Sequence, residues 1–124
     1  MKVKGATPED LATYILERSS CSVKVGAVLV DKAGRIYSWG QNHMGFDGMG
    51  QCAEAYAISR ATRWRLPGST IYVASMRARN RKPICSKPCP SCQALLAKHG
   101  INAYYREASN LWLLLRTGIQ AKGI

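Results

Sequence analysis

The sequence predicts an α/β fold of three layers, helix on sheet on helix, built around a mixed sheet of about five strands. Two observations predict this class. Segments with helical spacing and segments rich in β-branched residues alternate along the chain, in the order α-β-β-α-β-α-β-α. A short turn joins the first two strands, which favours an antiparallel hairpin, whereas helices separate the later strands, which is typical of parallel neighbours. We expect one domain over residues 1–124, because this length supports a single core.

The first helix and the hairpin have clear local signals. Thr7 can cap a helix, Pro8 suits its first turn, and two acidic residues follow, so we expect a helix from there to about Ser19. The β-branched run Val23–Val30 predicts a strand, and residues 35–39 predict its return strand after a turn that contains glycine.

The rest of the chain is predicted to alternate loops, helices and strands. Glycines predict a loop over 41–51, and apolar residues at helical spacing predict a helix over 52–64. The remaining expected elements are, in chain order, a strand over 70–74, a basic loop over 75–87, a helix from 88 or 89 to 99, a strand over 101–105 and a leucine-rich helix over 110–116.

The charge of the chain is strongly basic and unevenly distributed. The formal net charge is +11, and ten basic residues but no acidic one lie between Glu54 and Glu107. Such a field attracts polyanions or phosphorylated ligands, although a solvated basic face without a ligand is the alternative. No apolar run approaches the length of a membrane helix, and the N-terminus lacks the apolar core of a signal peptide, so we expect a cytoplasmic protein.

The five cysteines indicate metal binding or catalysis more than disulfide bonding. Their number is odd, and three of them crowd into residues 85–92. A secreted disulfide framework more often has an even number of cysteines that are spread along the chain. Cys21 stands apart and is expected to be a small buried residue.

Two short segments carry the predicted chemistry. The first is Cys52-Ala-Glu54, and the second places Pro88 directly before Cys89, with Cys92 three residues further on. At the start of a helix this spacing brings both sulfurs to one face, and the positive helix end favours thiolates. Zinc held by three protein ligands keeps a fourth position open for water. Glu54 does not easily bind the same ion as Cys52, but it can exchange protons with that water and with a leaving amine.

These residues resemble the cytidine/deoxycytidylate deaminase superfamily, in which a Cys or His followed by x-Glu precedes Pro-Cys-x-x-Cys. The resemblance covers nearly the whole chain, and residues 86–92 with Gly100 and the strand ending at Tyr105 are most similar to deoxycytidylate deaminases and small phage deaminases. It implies the cytidine deaminase-like fold and Zn²⁺ held by Cys52, Cys89 and Cys92. It also implies a hydrolase of cyclic amidines, in which zinc-bound water attacks C4 of cytosine and ammonia leaves.

The resemblance also implies how a nucleotide would be held. Asn42 matches the position of an Asn that holds the nucleoside, and the backbone N–H of Ala53 would contact the pyrimidine carbonyl. His43 and Phe46 are further candidates for contact with the base. Lys87 belongs to the basic loop over 77–87, which would hold the 5′-phosphate.

Two features depart from the family pattern. Most members of this branch have His where this chain has Cys52, and free-cytidine deaminases with Cys there have Arg where this chain has Ala55. Some other donor would have to offset the third thiolate, and a basic residue from the 77–87 loop is a candidate. The structural alternative is a zinc clip with Cys85 as fourth ligand, in which Glu54 is only an acid at a helix start.

Three functions are therefore open at this point. The first is deamination of a nucleotide such as dCMP, which the short chain favours because it leaves little room for a strand-binding groove. The second is deamination of cytosine or adenine in single-stranded DNA or RNA, which the net charge favours. The third is a non-catalytic, zinc-stabilised module that binds nucleic acid. Resemblance also implies a homo-oligomer, with the 41–51 loop and the leucine-rich end as partner surfaces.

Overall fold

The computed structural model describes residues 7–44 and 50–117. Three α-helices lie in this part of the chain: α1 (Pro8–Ile15), α2 (Ala53–Ser59) and α3 (Pro90–Lys98). The strands are β1 (Val23–Val30), β2 (Ile36–Gln41), β3 (His43–Met44), β4 (Gly50–Gln51), β5 (Thr70–Arg77), β6 (Pro83–Ile84), β7 (Asn102–Arg106) and β8 (Trp112–Leu115). Short 3₁₀ turns follow α1 at Leu16–Arg18 and α2 at Arg63–Arg65.

The main sheet has the strand order β2-β1-β5-β7-β8, and β6 pairs with β5. β1 is antiparallel to both β2 and β5, and β5 runs parallel to β7. Helices α2 and α3 pack on one face of the sheet, and α1 packs on the other. The predicted mixed sheet with an initial hairpin and helices on both faces is therefore confirmed.

The predicted last helix over 110–116 is wrong, because the leucine-rich segment is strand β8. The chain reverses after β7, where Asn110 adopts a positive φ of 73° and its N–H donates to the carbonyl of Glu107 at 2.9 Å. β8 then pairs antiparallel with β7, with Leu114 opposite Tyr104. A run of five apolar residues is shorter than a stable helix, and its composition alone does not separate helix from strand.

Other boundaries also differ from the sequence prediction. The predicted helix over 52–64 ends at Ser59, and β5 continues to Arg77 into the segment expected to be loop. Later in the same segment, β6 pairs antiparallel with β5, so the two strands form a hairpin. Within the predicted loop 41–51, two short strands form the ladder β3–β4. None of the described helices is long and apolar enough to cross a membrane.

Two glycines let a helix approach each face of the sheet closely. A Cβ atom on Gly26 would lie 2.3 Å from the carbonyl oxygen of Ala12, so α1 rests directly on β1. A Cβ atom on Gly40 would lie 2.9 Å from the side chain of Tyr56 and 3.0 Å from the nitrogen of Ala57, so α2 rests on β2. Neither contact leaves room for a larger residue.

Candidate active site

The site lies where α2 and α3 begin. Cys52 and Cys89 are the N-caps of these two helices, both with extended backbone, and neither makes a side-chain capping bond. Pro90 follows as the first residue of α3, where its missing N–H costs no hydrogen bond. The hydroxyl of Ser38 on β2 donates to the carbonyl of Ala57 at 2.7 Å and ties α2 to the sheet. The two helices therefore begin close together, and neither thiol is used as a side-chain cap.

Cys52, Glu54 and Cys92 form one cluster. Their ligand atoms all lie within 4.8 Å of one another. Glu54 and Cys92 are each only 5% exposed, whereas Cys52 is exposed. Three predicted site residues thus meet although 40 positions separate Cys52 from Cys92 in the sequence.

Cys89 lies beside this cluster but is not a member of it. Its exposed thiol is hydrogen-bonded to the hydroxyl of Ser91 at 3.3 Å. It lines the same cavity as Cys92, and the two thiols interact. The hydroxyl of Ser91, with the nearby backbone N–H of Cys92, lowers the pKa of the Cys89 thiol, so this cysteine ionises more easily than usual.

Both buried acids of the cluster have raised pKa values. Burial raises the pKa of Glu54, and the bond from its own backbone N–H only partly offsets this. Burial is also the first cause of the raised pKa of Cys92, and the charge of Glu54 and the neighbouring Cys52 thiol add to it. A neighbouring negative charge favours the neutral form of an acid, so the charge of Glu54 favours the protonated thiol of Cys92.

This donor set fits zinc. Thiolates bind Zn²⁺ at about 2.3 Å, so sulfurs that share one ion lie about 4 Å apart, which matches the size of the cluster. A dication would also relieve the repulsion among the crowded acids. The residues that could hold it are Cys52 and Cys92 in the cluster, with Cys89 at its edge.

A cavity of about 430 Å³ opens in front of the cluster, a size typical of sites for small ligands. Sequence reasoning missed several residues in its wall. They include Gln51 from β4, Ser75 from β5 and Ile84 from β6. The pairing of β5 with β6 brings Ser75 and Ile84 together in the wall, and no sequence motif predicts this pairing. Cys85 is exposed in this wall and is not part of the cluster.

Two of the predicted substrate contacts, Asn42 and Ala53, line the cavity. Asn42 lines the cavity, but its amide already bonds β1: Oδ1 accepts from the N–H of Val25 at 3.0 Å, and Nδ2 donates to the carbonyl of Val23 at 2.8 Å. One lone pair and one N–H of the amide remain for a ligand. Ala53 lines the cavity as the first residue of α2, where backbone N–H groups have no intrahelical partner.

The other predicted contacts divide between the wall and its surroundings. Lys87 lines the cavity and is exposed. His43 does not line it, and its ring packs edge-on against Tyr56 with centroids 4.8 Å apart. Phe46 lies outside the described residues.

Two cations contact the wall of the cavity. Among the described residues, Lys87 is the one basic side chain that lines the cavity. Arg106 lies behind the wall and donates to the carbonyl of Ser75 at 3.1 Å and to Thr13 Oγ1 at 3.3 Å. Position 55, next to Glu54, is an alanine and offers no charge.

Comparison with known proteins agrees with this fold and site. The family described as "Cytidine and deoxycytidylate deaminase zinc-binding region" matches residues 9–107. No curated protein sequence matches the chain. A cytidine deaminase from Burkholderia pseudomallei superposes with a TM-score of 0.72 at 19% identity, covering 96% of this chain and 95% of that chain, which supports the fold.

A second similar structure is the dCMP deaminase of the cyanophage S-TIM5. Its apo form has a TM-score of 0.64 at 25% identity, covering 86% of each chain. The same phage enzyme in complex with dCMP and dUMP has a TM-score of 0.60 at 25% identity, covering 86% of this chain and 84% of that chain.

The protein belongs to the cytidine and deoxycytidylate deaminase family, because the family match spans residues 9–107 of 124. It is therefore a zinc-dependent enzyme, a hydrolase that acts on a carbon–nitrogen bond, and its chemistry is the deamination of cytosine. This family assignment replaces the alternative of a non-catalytic zinc module.

Proposed function

We propose that this enzyme converts dCMP and water to dUMP and ammonia. The observation that carries the proposal is the meeting of Cys52, Glu54 and Cys92 within 4.8 Å beside a cavity large enough for a nucleotide. A cyanophage dCMP deaminase of similar fold, which has been solved with dCMP and dUMP, supports a nucleotide as the substrate.

In this proposal Cys52, Cys89 and Cys92 hold the zinc ion. Cys89 would give up its bond with Ser91 to join the set, and its lowered pKa favours the thiolate that a metal needs. A zinc ion held by these residues would acidify water and so supply hydroxide near neutral pH. Cys85 lines the cavity wall after β6 and has no part in the proposed set.

Glu54 moves the protons of the reaction. Its carboxylate takes a proton from the attacking water, delivers one to the ring nitrogen of cytosine and later protonates the leaving amino group. It is 5% exposed, so bulk water does not compete for these protons.

Backbone and side-chain groups of the wall orient the nucleotide. The N–H of Ala53 donates to the pyrimidine carbonyl, and the remaining N–H and lone pair of Asn42 hold the sugar. Lys87 binds the 5′-phosphate, since it is the one cation in the described part of the cavity wall and has no ion-pair partner among the described residues.

A substrate comparison tests this function. Zinc-loaded protein is given dCMP, cytidine and a single-stranded oligonucleotide that contains cytosine, and ammonia release is measured. We expect dCMP to be turned over with the highest kcat/KM among the nucleotide monomers. Turnover of the oligonucleotide alone, or of none of the three, contradicts the proposal.

A pair of lysine variants tests the phosphate contact. Lys87→Ala should lower kcat/KM on dCMP about tenfold more than on deoxycytidine, because one charge-assisted contact to phosphate is lost. Lys98→Ala removes the same charge at the far end of α3 and should leave the ratio unchanged. An equal loss of kcat/KM on dCMP and on deoxycytidine in Lys87→Ala would show that Lys87 does not contact the phosphate.

We also propose that the enzyme forms a homo-oligomer, in which β8 meets another copy. β8 is the last strand of the sheet, and Leu111, Leu113 and Leu114 are 61%, 37% and 40% exposed. An edge strand with apolar side chains is a ready surface for a second chain. A monomeric mass by light scattering at working concentration contradicts this.

A further inference from the structure

The hairpin formed by β5 and β6 leads directly into the cavity wall. Ser75 on β5 and Ile84 on β6 are paired, and both line the cavity. Two positions further on, Arg77 and Lys82 close the hairpin, with the N–H of Arg77 donating to the carbonyl of Lys82 at 2.9 Å. Because side chains alternate along a strand, Arg77 and Lys82 lie on the same face as Ser75 and Ile84.

The pairing of β5 with β1 places Arg77 at the rim in the same way. Arg77 is directly opposite Val23, and Val23 lines the cavity. Two residues along a strand span about 7 Å, so Arg77 and Lys82 lie about one pair of residues beyond the wall.

The charges of Arg77 and Lys82 are free. Both residues are exposed, and neither makes an ion pair with an acid in the part of the chain that the structure describes. Arg81 of the same hairpin differs, because its guanidinium pairs with Glu17 at 2.5 Å. The segment from 55 to 106 contains no acidic residue that could neutralise them.

The backbone of the hairpin fixes where these cations lie. The N–H of Arg81 donates to the carbonyl of Arg77 at 2.8 Å, and the N–H of Ala78 donates to the carbonyl of Ser22 at 2.9 Å. The side chain of Asn80 accepts from the N–H of Lys82 at 3.1 Å. A pair of cations on an ordered turn presents a defined site for an anion.

We propose that Arg77 and Lys82 form a second phosphate subsite, which takes a phosphate beyond the one at Lys87. The proposal rests on the proposed function, in which the cavity holds a cytosine nucleotide and Lys87 its 5′-phosphate. The ligand is a cytosine nucleotide with more than one phosphate. Both a nucleoside triphosphate and a single-stranded oligonucleotide carry such a group.

The test compares dCTP and a short cytosine-containing oligodeoxynucleotide with dCMP. The readout is the ratio of kcat/KM on each of the first two to kcat/KM on dCMP. In the double variant R77A/K82A this ratio should fall about tenfold or more, because two charged contacts to the outer phosphate are lost. A fall for dCTP alone assigns the subsite to a triphosphate, and a fall for the oligonucleotide alone assigns it to nucleic acid.

The matched control is R63A/K98A. It removes the same two charges from exposed positions near the C-terminal ends of α2 and α3, whereas the cavity lies at their N-terminal ends. The control should leave both ratios unchanged. Ratios that stay unchanged in R77A/K82A, or fall equally in both double variants, overturn the subsite, since the effect would then be absent or due to net charge alone.

A binding measurement separates this proposal from the proposed function. If the wild-type protein turns over none of the nucleotides, the proposed function fails, and inorganic tripolyphosphate becomes the probe. Its Kd, measured by calorimetry on the zinc-loaded protein, should rise about tenfold in R77A/K82A but not in R63A/K98A. An unchanged Kd in R77A/K82A overturns the subsite independently of catalysis.

Discussion

On both faces of the sheet a helix packs closely over a glycine, but the two helices differ in how they begin. On one face α1 rests on Gly26, and Thr7 and Asp10 close its first turn as a capping box. On the other face α2 rests on Gly40, but its N-cap, Cys52, makes no capping bond. Side chains of the protein thus cap the start of α1, whereas no side chain caps the start of α2, whose backbone N–H groups remain for a ligand. We therefore expect damage to the first face to cost stability and damage to the second to cost activity.

The largest effect is expected from removing a thiol at the cluster. Cys92→Ser should abolish zinc binding and reduce dCMP turnover below detection, because a buried ligand is lost. Cys21→Ser is the matched control, since Cys21 lies outside the cavity and the cluster. Metal analysis of the purified proteins measures the outcome. Full zinc content in Cys92→Ser would exclude this thiol as a ligand.

The two glycines test the difference between the faces directly. Gly26→Ala should lower the free energy of unfolding by about 3 kcal/mol, because the new methyl group meets the backbone of α1. The activity of each folded molecule should stay unchanged. Gly40→Ala should cost about 1–2 kcal/mol and should also lower kcat/KM, because it displaces the helix that carries Glu54.

Denaturant unfolding and kinetics on the same samples separate these outcomes. If Gly26→Ala lowered the turnover per folded molecule as much as Gly40→Ala, the two faces would not differ in function.

A smaller effect is expected from Ser38→Ala. The buried hydroxyl of Ser38 bonds the carbonyl of Ala57 at 2.7 Å, and its loss should cost about 1 kcal/mol. Ser59→Ala removes a bond of the same length to the carbonyl of Tyr56, but at an exposed position, and should cost little. Equal losses in thermal unfolding for the two variants would show that burial does not decide the contribution.

The smallest effect concerns the turn between β1 and β2, far from the site. The guanidinium of Arg65 and the backbone N–H of Arg35 hold the pKa of Asp31 below its usual value. A carboxyl with a lowered folded pKa stabilises the fold above its unfolded pKa, and this stabilisation is lost as the pH falls through the folded value. Asp31→Asn should therefore lower the melting temperature at pH 7, and the difference should shrink below about pH 4.

Kinetics at pH 7 provide the control for Asp31→Asn, since we expect no change in kcat/KM. A melting-temperature difference that persists undiminished at low pH would mean that the charge of Asp31 is not what stabilises the turn.

The sequence predicted the elements with strong local signals and missed those that depend on distant pairing. Strand β1 begins and ends at the predicted residues, because valine occupies four of its eight positions and both of its ends. Strand β8 was predicted as a helix, because a short leucine-rich run does not by itself favour helix or strand. Pairing with β7 decides that it forms a strand.

The site was partly predictable for the same reason. The spacing of the motifs predicted that Cys52, Glu54 and Cys92 would lie close together, and the structure places them in one cluster. It did not predict that Ser75 lines the cavity, because β5 was expected to end at Ala74, one residue before Ser75. The pairing of β5 with β6 also has no local sequence signal. It also did not predict that the amide of Asn42 bonds the backbone of β1. Side-chain partners of this kind are decided by tertiary contacts.

The central claim is that Glu54 moves protons beside a zinc ion that the cysteines hold. Because the structure brings the carboxylate of Glu54 as close as the sulfurs, zinc content and turnover must be measured together. We predict that Glu54→Gln keeps about one zinc per chain and loses about 10²- to 10⁴-fold in kcat on dCMP. A variant that deaminates dCMP at the wild-type rate, or that loses its zinc, would contradict the account.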